Sequence, residues 1–321
     1  MINAEWIYWL LGAFFFLVGV EIAFDRAHRR RWTNATFWCL LGASLCYGSF
    51  VPKLPAWLLG IAVIAMALIA GLGLTGSGDV RTTSEEQRER NAARKGNALF
   101  IPALTIPAVT VLVSLIGGRV VIDGHPLLQP GSQTIVGLGV ATIAALLVAL
   151  FLLRPTPPTV ALSEGRRLLE SIGWAALLPQ MLATLGLLFA QAGVGTQVGA
   201  IAQHVVPEHS RFFAVIVYAV GMAAFTIVMG NAFAAFPIMT AAIGWPLLVE
   251  RMGAHPAPLF AIGMLSGFCG TLVTPMAANF NLVPPALLEM RDRYGQIKVQ
   301  IPTAAALLVV NIAFMLIFPF R

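Results

Sequence analysis

Two interruptions of an oily chain constrain this fold more than anything else in the sequence. They are Met229-Gly230-Asn231-Ala232-Phe233-Ala234-Ala235-Phe236-Pro237 and Thr274-Pro275-Met276-Ala277-Ala278-Asn279-Phe280-Asn281-Leu282-Val283-Pro284-Pro285. Each follows an apolar run long enough to be a membrane helix, and each joins helix breakers to amides. In hydrocarbon an unpaired backbone N–H or C=O costs several kcal/mol, so irregular chain persists only where protein buries it or where it lines a cavity. A lone break reads equally well as an ordinary helix end, where Pro, Gly and Asn are common. Two in related positions point to a binding site built from discontinuous helices, the plan of secondary transporters.

Composition supplies the membrane. Hydrophobic residues make up 58% of the 321, charged residues 11%, and mean hydropathy is +0.84. Soluble domains carry about 25% charged residues, so the chain reads as an all-α polytopic membrane protein, one integral membrane domain over 1–321. Net charge is +6, but the basic residues sit in short loops, which suits topology signals and not a nucleic-acid-binding face. Cys39, Cys46 and Cys269 lie inside apolar runs without metal-ligand spacing and read as small hydrophobes.

Nearly continuous apolar runs cover 6–24, 35–51, 55–75, 97–116, 134–153, 173–192, 212–229, 257–274 and 301–320, and 233–249 is apolar but carries Pro237, Gly244 and Pro246. The expectation is about nine to ten transmembrane segments, broken or re-entrant helices among them. Arg26, Arg29, Arg30 and Arg31, then Arg81 to Lys95, then Arg154, Arg166 and Arg167 fall in alternate loops. By the positive-inside rule these loops are cytoplasmic and the N-terminus lies outside the inner membrane. Loop 76–95 is the one long charged segment. Gly96-Asn97-Ala98, followed by Phe100 and Pro102, echoes Gly230-Asn231-Ala232 with Phe233 and Pro237, which would mark duplicated halves, 1–160 and 161–321.

Other polar groups are weighed against plain packing. Gln180 and Thr184, four apart after Pro179, share a helix face and serve either a helix–helix hydrogen bond or a polar cavity. Gly263, Gly267 and Gly270 form a small-residue face for close helix packing. Thr271 and Thr274, just before Pro275, are placed to turn toward the second break. His204, Glu208 and His209 lack metalloprotease spacing and read as a solvated loop. No Asp, Lys or Arg lies in the middle of a run, and no catalytic constellation appears, so neither a central proton relay nor an enzyme is expected.

With these motifs on the page, the chain resembles a bacterial membrane family, formerly classed as of unknown function. Its members are named as the larger subunit of a 5-oxoproline (pyroglutamate) transporter. The resemblance covers nearly the whole chain and is carried by residues 96–104, 164–169, 173–186, 229–237, 270–281 and 300–303. It implies a second, smaller membrane subunit. More loosely, the paired breaks are similar to the hairpin-and-broken-helix plan of the ion-transporter superfamily of carboxylate carriers, at the level of fold.

The expected function is a secondary transporter subunit for a small carboxylate such as 5-oxoproline. The breaks would meet near the midplane, where helix N-termini, about half a positive charge each, would hold the carboxylate in place of a buried arginine. Gly230, Asn231, Thr271, Thr274, Asn279 and Asn281 would form the substrate site, with Gln180 and Thr184 contributing. No cofactor is expected beyond a coupling Na+ among amide, hydroxyl and freed carbonyl oxygens. The alternative is a non-transporting scaffold or regulatory subunit of a companion permease, whose break residues would pair only with protein.

Overall fold

The computed structural model describes residues 2–50, 54–78, 85–117, 119–122, 125–153, 160–207 and 210–320, and most of them are helical. They divide into two compact units, Met1–Gly173 and Trp174–Arg321. Among the described residues eight helical runs are long and apolar enough to cross a bilayer, and Trp57–Gly71 is a shorter apolar helix. The chain is an all-α, multi-pass membrane protein.

In the first unit α1 (Ala4–Phe24) and α2 (Arg31–Cys46) pack through facing glycines. A Cβ added to Gly42 would come within 2.9 Å of the Gly12 carbonyl oxygen, so neither position has room for a side chain. After α3 (Trp57–Gly71) comes α4 (Glu85–Lys95), a solvated helix whose Arg90–Glu86 pair spans 3.1 Å at i,i+4. Helices α5 (Phe100–Gly117) and α6 (Gln133–Leu153) pair lengthwise around a hairpin of two short strands, β1 (Val121–Ile122) and β2 (His125–Pro126).

The unit is closed by α7 (Val160–Ile172), which buries two charges, Arg166 and Glu170, each 4% exposed. Arg166 donates Nη2 to Asp25 Oδ2 at 2.5 Å and Nε to Glu170 Oε1 at 3.1 Å, with Glu21 Oε1 3.8 Å from Nη1. Glu170 Oε2 also accepts from the Gly78 N–H at 2.6 Å, and Asn34 Nδ2 donates to the Gly76 carbonyl at 2.8 Å. His28 Nε2 lies 3.6 Å from Glu170 Oε1. The Arg166 guanidinium holds the Asp25 carboxyl below the usual carboxylate range. One arginine therefore ties α7 to the end of α1, and its partner Glu170 reaches the stretch that follows α3.

The second unit runs α8 (Leu178–Gln191), α9 (Val194–Val205), α10 (Arg211–Met229) and α11 (Ala232–Met239). Helix α11 passes directly into a π-helix, Thr240–Arg251, and α12 (Pro256–Val273), α13 (Ala278–Asn281), α14 (Val283–Leu287) and α15 (Gly295–Ile317) follow. Helices α10 and α12 run parallel: Gly263 faces Tyr218, Gly267 faces Met222 and Gly270 faces Ala223. This is the close packing that the small-residue face predicts. Tyr218, fully buried, fills the space left by Gly244 and Gly263 and bonds Thr240 Oγ1 at 3.0 Å. A Cβ on Gly270 would collide with the Ala223 backbone. Gly270→Leu is therefore expected to cost at least the roughly 1–3 kcal/mol of an overpacked core, read as a lowered Tm of detergent-purified protein.

Candidate functional site

Each interruption in the second unit has a local cause. Gly230 takes φ +68, a left-handed conformation that ends α10, and its N–H donates to the Thr226 carbonyl at 2.7 Å. Asn231 is extended, and its Oδ1 accepts the Phe233 N–H at 2.8 Å, capping α11. Helix α12 stops at Thr274, which takes the extended conformation required before Pro275. The Thr274 hydroxyl donates to the Ile227 carbonyl at 2.8 Å, and its oxygen accepts the Met276 N–H at 3.2 Å. Asn281 Nδ2 donates to the Thr271 and Thr274 carbonyls at 2.7 and 2.8 Å, pairing groups that the end of α12 would leave open.

The two breaks touch. A Cβ on Gly230 would stand 2.5 Å from the Met276 carbonyl oxygen and 2.8 Å from Leu182 Cδ1. Between them lies a cavity of about 220 Å³, lined by Gly230, Asn231, Thr271 and Asn279 and walled by Phe233, Phe268 and Phe280. At ~30 Å³ per water this is room for about seven waters or one small ring acid. Phe233 and Phe268 meet edge to face, centroids 5.7 Å apart. None of the described lining residues is charged. What the wall offers an anion is the N-terminus of α11, at Ala232 and Phe233, and the amides of Asn231 and Asn279.

A larger cavity, about 970 Å³, shares Asn231 and Phe233 with the small one. One side of it is a third interruption, at a glycine whose sequence context is that of a helix end. Gly193, at φ +69, separates α8 from α9. Gly186 on α8 faces Ala234, and Gly199 on α9 faces Ala242, so both helices run in the direction of α11 and the π-helix. They lie along it as two short helices joined at Gly193. The facing wall includes Pro237 and Pro246, each of which lacks the N–H that would pair with a carbonyl one turn earlier.

The structure thus brings Gly230, Asn231, Thr271 and Asn279 to one cavity. Thr274 and Asn281 stand behind it and hold the chain ends. Gln180 and Thr184 are not on the wall: Thr184 Oγ1 donates to the Gln180 carbonyl of its own helix at 3.0 Å, and α8 presents Leu182 to the cavity. Helix α10 runs 19 residues, roughly 28 Å at 1.5 Å per residue, before Gly230 ends it. Gly96 shares the left-handed conformation of Gly230 but has open space around it. His204 Nδ1 lies 2.8 Å from the Ala200 carbonyl, and Glu208 and His209 fall outside the described residues. Thr226, fully buried on α10 one turn before Gly230, is the polar neighbour that the sequence pattern does not reveal.

A family model described as "Protein of unknown function (DUF979)" matches residues 5–320. No curated protein and no solved structure matches the chain.

Proposed function

The chain belongs to this family of proteins of unknown function (DUF979), matched over 5–320, and on the geometry above we propose that it is a secondary transporter subunit for a small carboxylate, 5-oxoproline in the first instance. The observation that carries the reading is the small uncharged cavity where two chain breaks touch, with a helix N-terminus and two amides on its wall. The carboxylate is held at the start of α11, where the aligned peptide dipoles supply about half a positive charge. Asn231 has spent its Oδ1 on the α11 cap, so its Nδ2 donates to the substrate, while Asn279 pairs with the lactam. The aromatic walls enclose the ring. The larger cavity is the approach, with Asn231 and Phe233 at the passage between the two.

In this reading the protein sits in the bacterial inner membrane with its N-terminus outside, works beside a second, smaller membrane subunit, and couples uptake to Na+. Uptake of labelled 5-oxoproline into proteoliposomes, with and without the smaller subunit and under Na+ or H+ gradients, is the test. Asn231→Ala and Asn279→Ala are expected to reduce uptake to background at unchanged protein levels. Normal uptake by both ends the assignment. A scaffold or regulatory role is the second reading, favoured by the fact that Thr274 and the Asn281 amide are spent on protein backbone. It predicts uptake that belongs wholly to the companion and ignores both asparagine substitutions.

A further inference from the structure

Behind the small cavity three buried oxygens have no hydrogen-bond partner among the described residues: Thr226 Oγ1, Thr271 Oγ1 and Asn281 Oδ1. The residues that carry them are 0%, 5% and 0% exposed. A buried acceptor left dry costs about 1–3 kcal/mol, so three in one neighbourhood require an occupant. Connectivity makes the three residues neighbours. The Asn281 amide is bonded to the carbonyl of Thr271 itself, 2.7 Å away. The Thr226 hydroxyl stands 3.3 Å from where a Cβ on Gly267 would sit, one turn before Thr271 on α12.

The field at this point has a sign. Helices α10 and α12 run parallel and both end here, so two C-terminal dipole ends, about half a negative charge each, lie beside these residues, against the single positive end of α11 at Ala232, which packs over Gly267. The balance is negative and suits a monovalent cation. Divalent ions are usually held by carboxylates, and none is present among these groups. We propose that Thr226, Thr271 and Asn281, with backbone carbonyls from the end of α12, bind a monovalent cation, Na+. Thr271 belongs to both sites, since it also lines the anion cavity, so an ion here stands next to the carboxylate and offsets its charge. The coupling role rests on the transport reading; the binding does not.

The test uses the full chain purified in detergent, with saturable binding of radiolabelled Na+ and thermal unfolding in NaCl against choline chloride at equal ionic strength. Wild type is expected to bind Na+ saturably and to melt higher in NaCl. Thr226→Val and Thr271→Val keep the shape and remove the hydroxyl. They are expected to weaken Na+ about tenfold or more while melting no lower than wild type in choline chloride. A wild type without saturable Na+ binding, or variants that bind Na+ as wild type does, overturns the site and leaves the three oxygens to buried water. Na+ binding without any uptake in proteoliposomes removes the transporter reading and leaves the ion site standing.

Discussion

Gly230→Ala is expected to abolish 5-oxoproline uptake although it adds one carbon. Two independent costs coincide at this position. A non-glycine residue at φ +68 pays roughly 1–2 kcal/mol for the left-handed conformation. The new Cβ would also stand 2.5 Å from the Met276 carbonyl oxygen, a backbone atom that cannot rotate away, and 2.8 Å from Leu182 Cδ1. Relief requires the α10–α11 turn and the Pro275 loop to separate, which opens the cavity both of them wall. Gly193→Ala is the control: the same left-handed cost at φ +69, but nothing within 4 Å of the added carbon. It is expected to melt slightly lower and retain much of its uptake. Equal loss in both variants would show that backbone conformation, and not the contact between the breaks, is what matters.

The second large effect lies in the first unit. Removing one partner of a buried ion pair costs about 3–5 kcal/mol, because the remaining charge stays buried without compensation. Arg166→Leu leaves the buried Glu170 in that state and takes the partner from the half-buried Asp25, so the purified protein is expected to melt far lower or fail to accumulate. Arg166→Lys is not expected to rescue it, since a single ammonium cannot reproduce the guanidinium fork that reaches Asp25 and Glu170 together. Adding Glu170→Leu to Arg166→Leu should recover part of the loss. Arg90→Leu on exposed α4 is the contrast, within about 0.5 kcal/mol of wild type. Asp25 adds a pH signature: its lowered carboxyl contributes stability above about pH 4, which is lost as pH falls through the lower folded value.

How much of this could be read from the residues depended on range. The breaks at Gly230 and Pro275 were legible because oily sequence tolerates helix breakers and amides only where protein or a cavity receives the freed backbone. That they touch was an expectation from pairing, and the fit of Gly230 against Met276 is visible only in three dimensions. Gly193 directly follows the apolar run 173–192, and nothing local says whether the chain after a glycine turns back or continues. Helical periodicity put Gln180 and Thr184 on one face correctly, but it carries no information about which face meets a cavity, and Leu182 took that place. Thr226 gave no signal at all: a lone hydroxyl in an apolar helix acquires meaning only through what packs on it. The Arg166 cluster joins residues some 140 positions apart, beyond the reach of any local pattern.

The central claim is that water and a small carboxylate reach the place where the two breaks meet. Asn279→Cys, labelled with a small charged thiol reagent in proteoliposomes, tests it most directly, with Cys39, Cys46 and Cys269 in the unsubstituted protein as background. The transport reading predicts labelling well above that background, slowed by 5-oxoproline and not by a neutral lactam of the same size. A cysteine that never reacts, or one that reacts at the same rate with and without the acid, would contradict it.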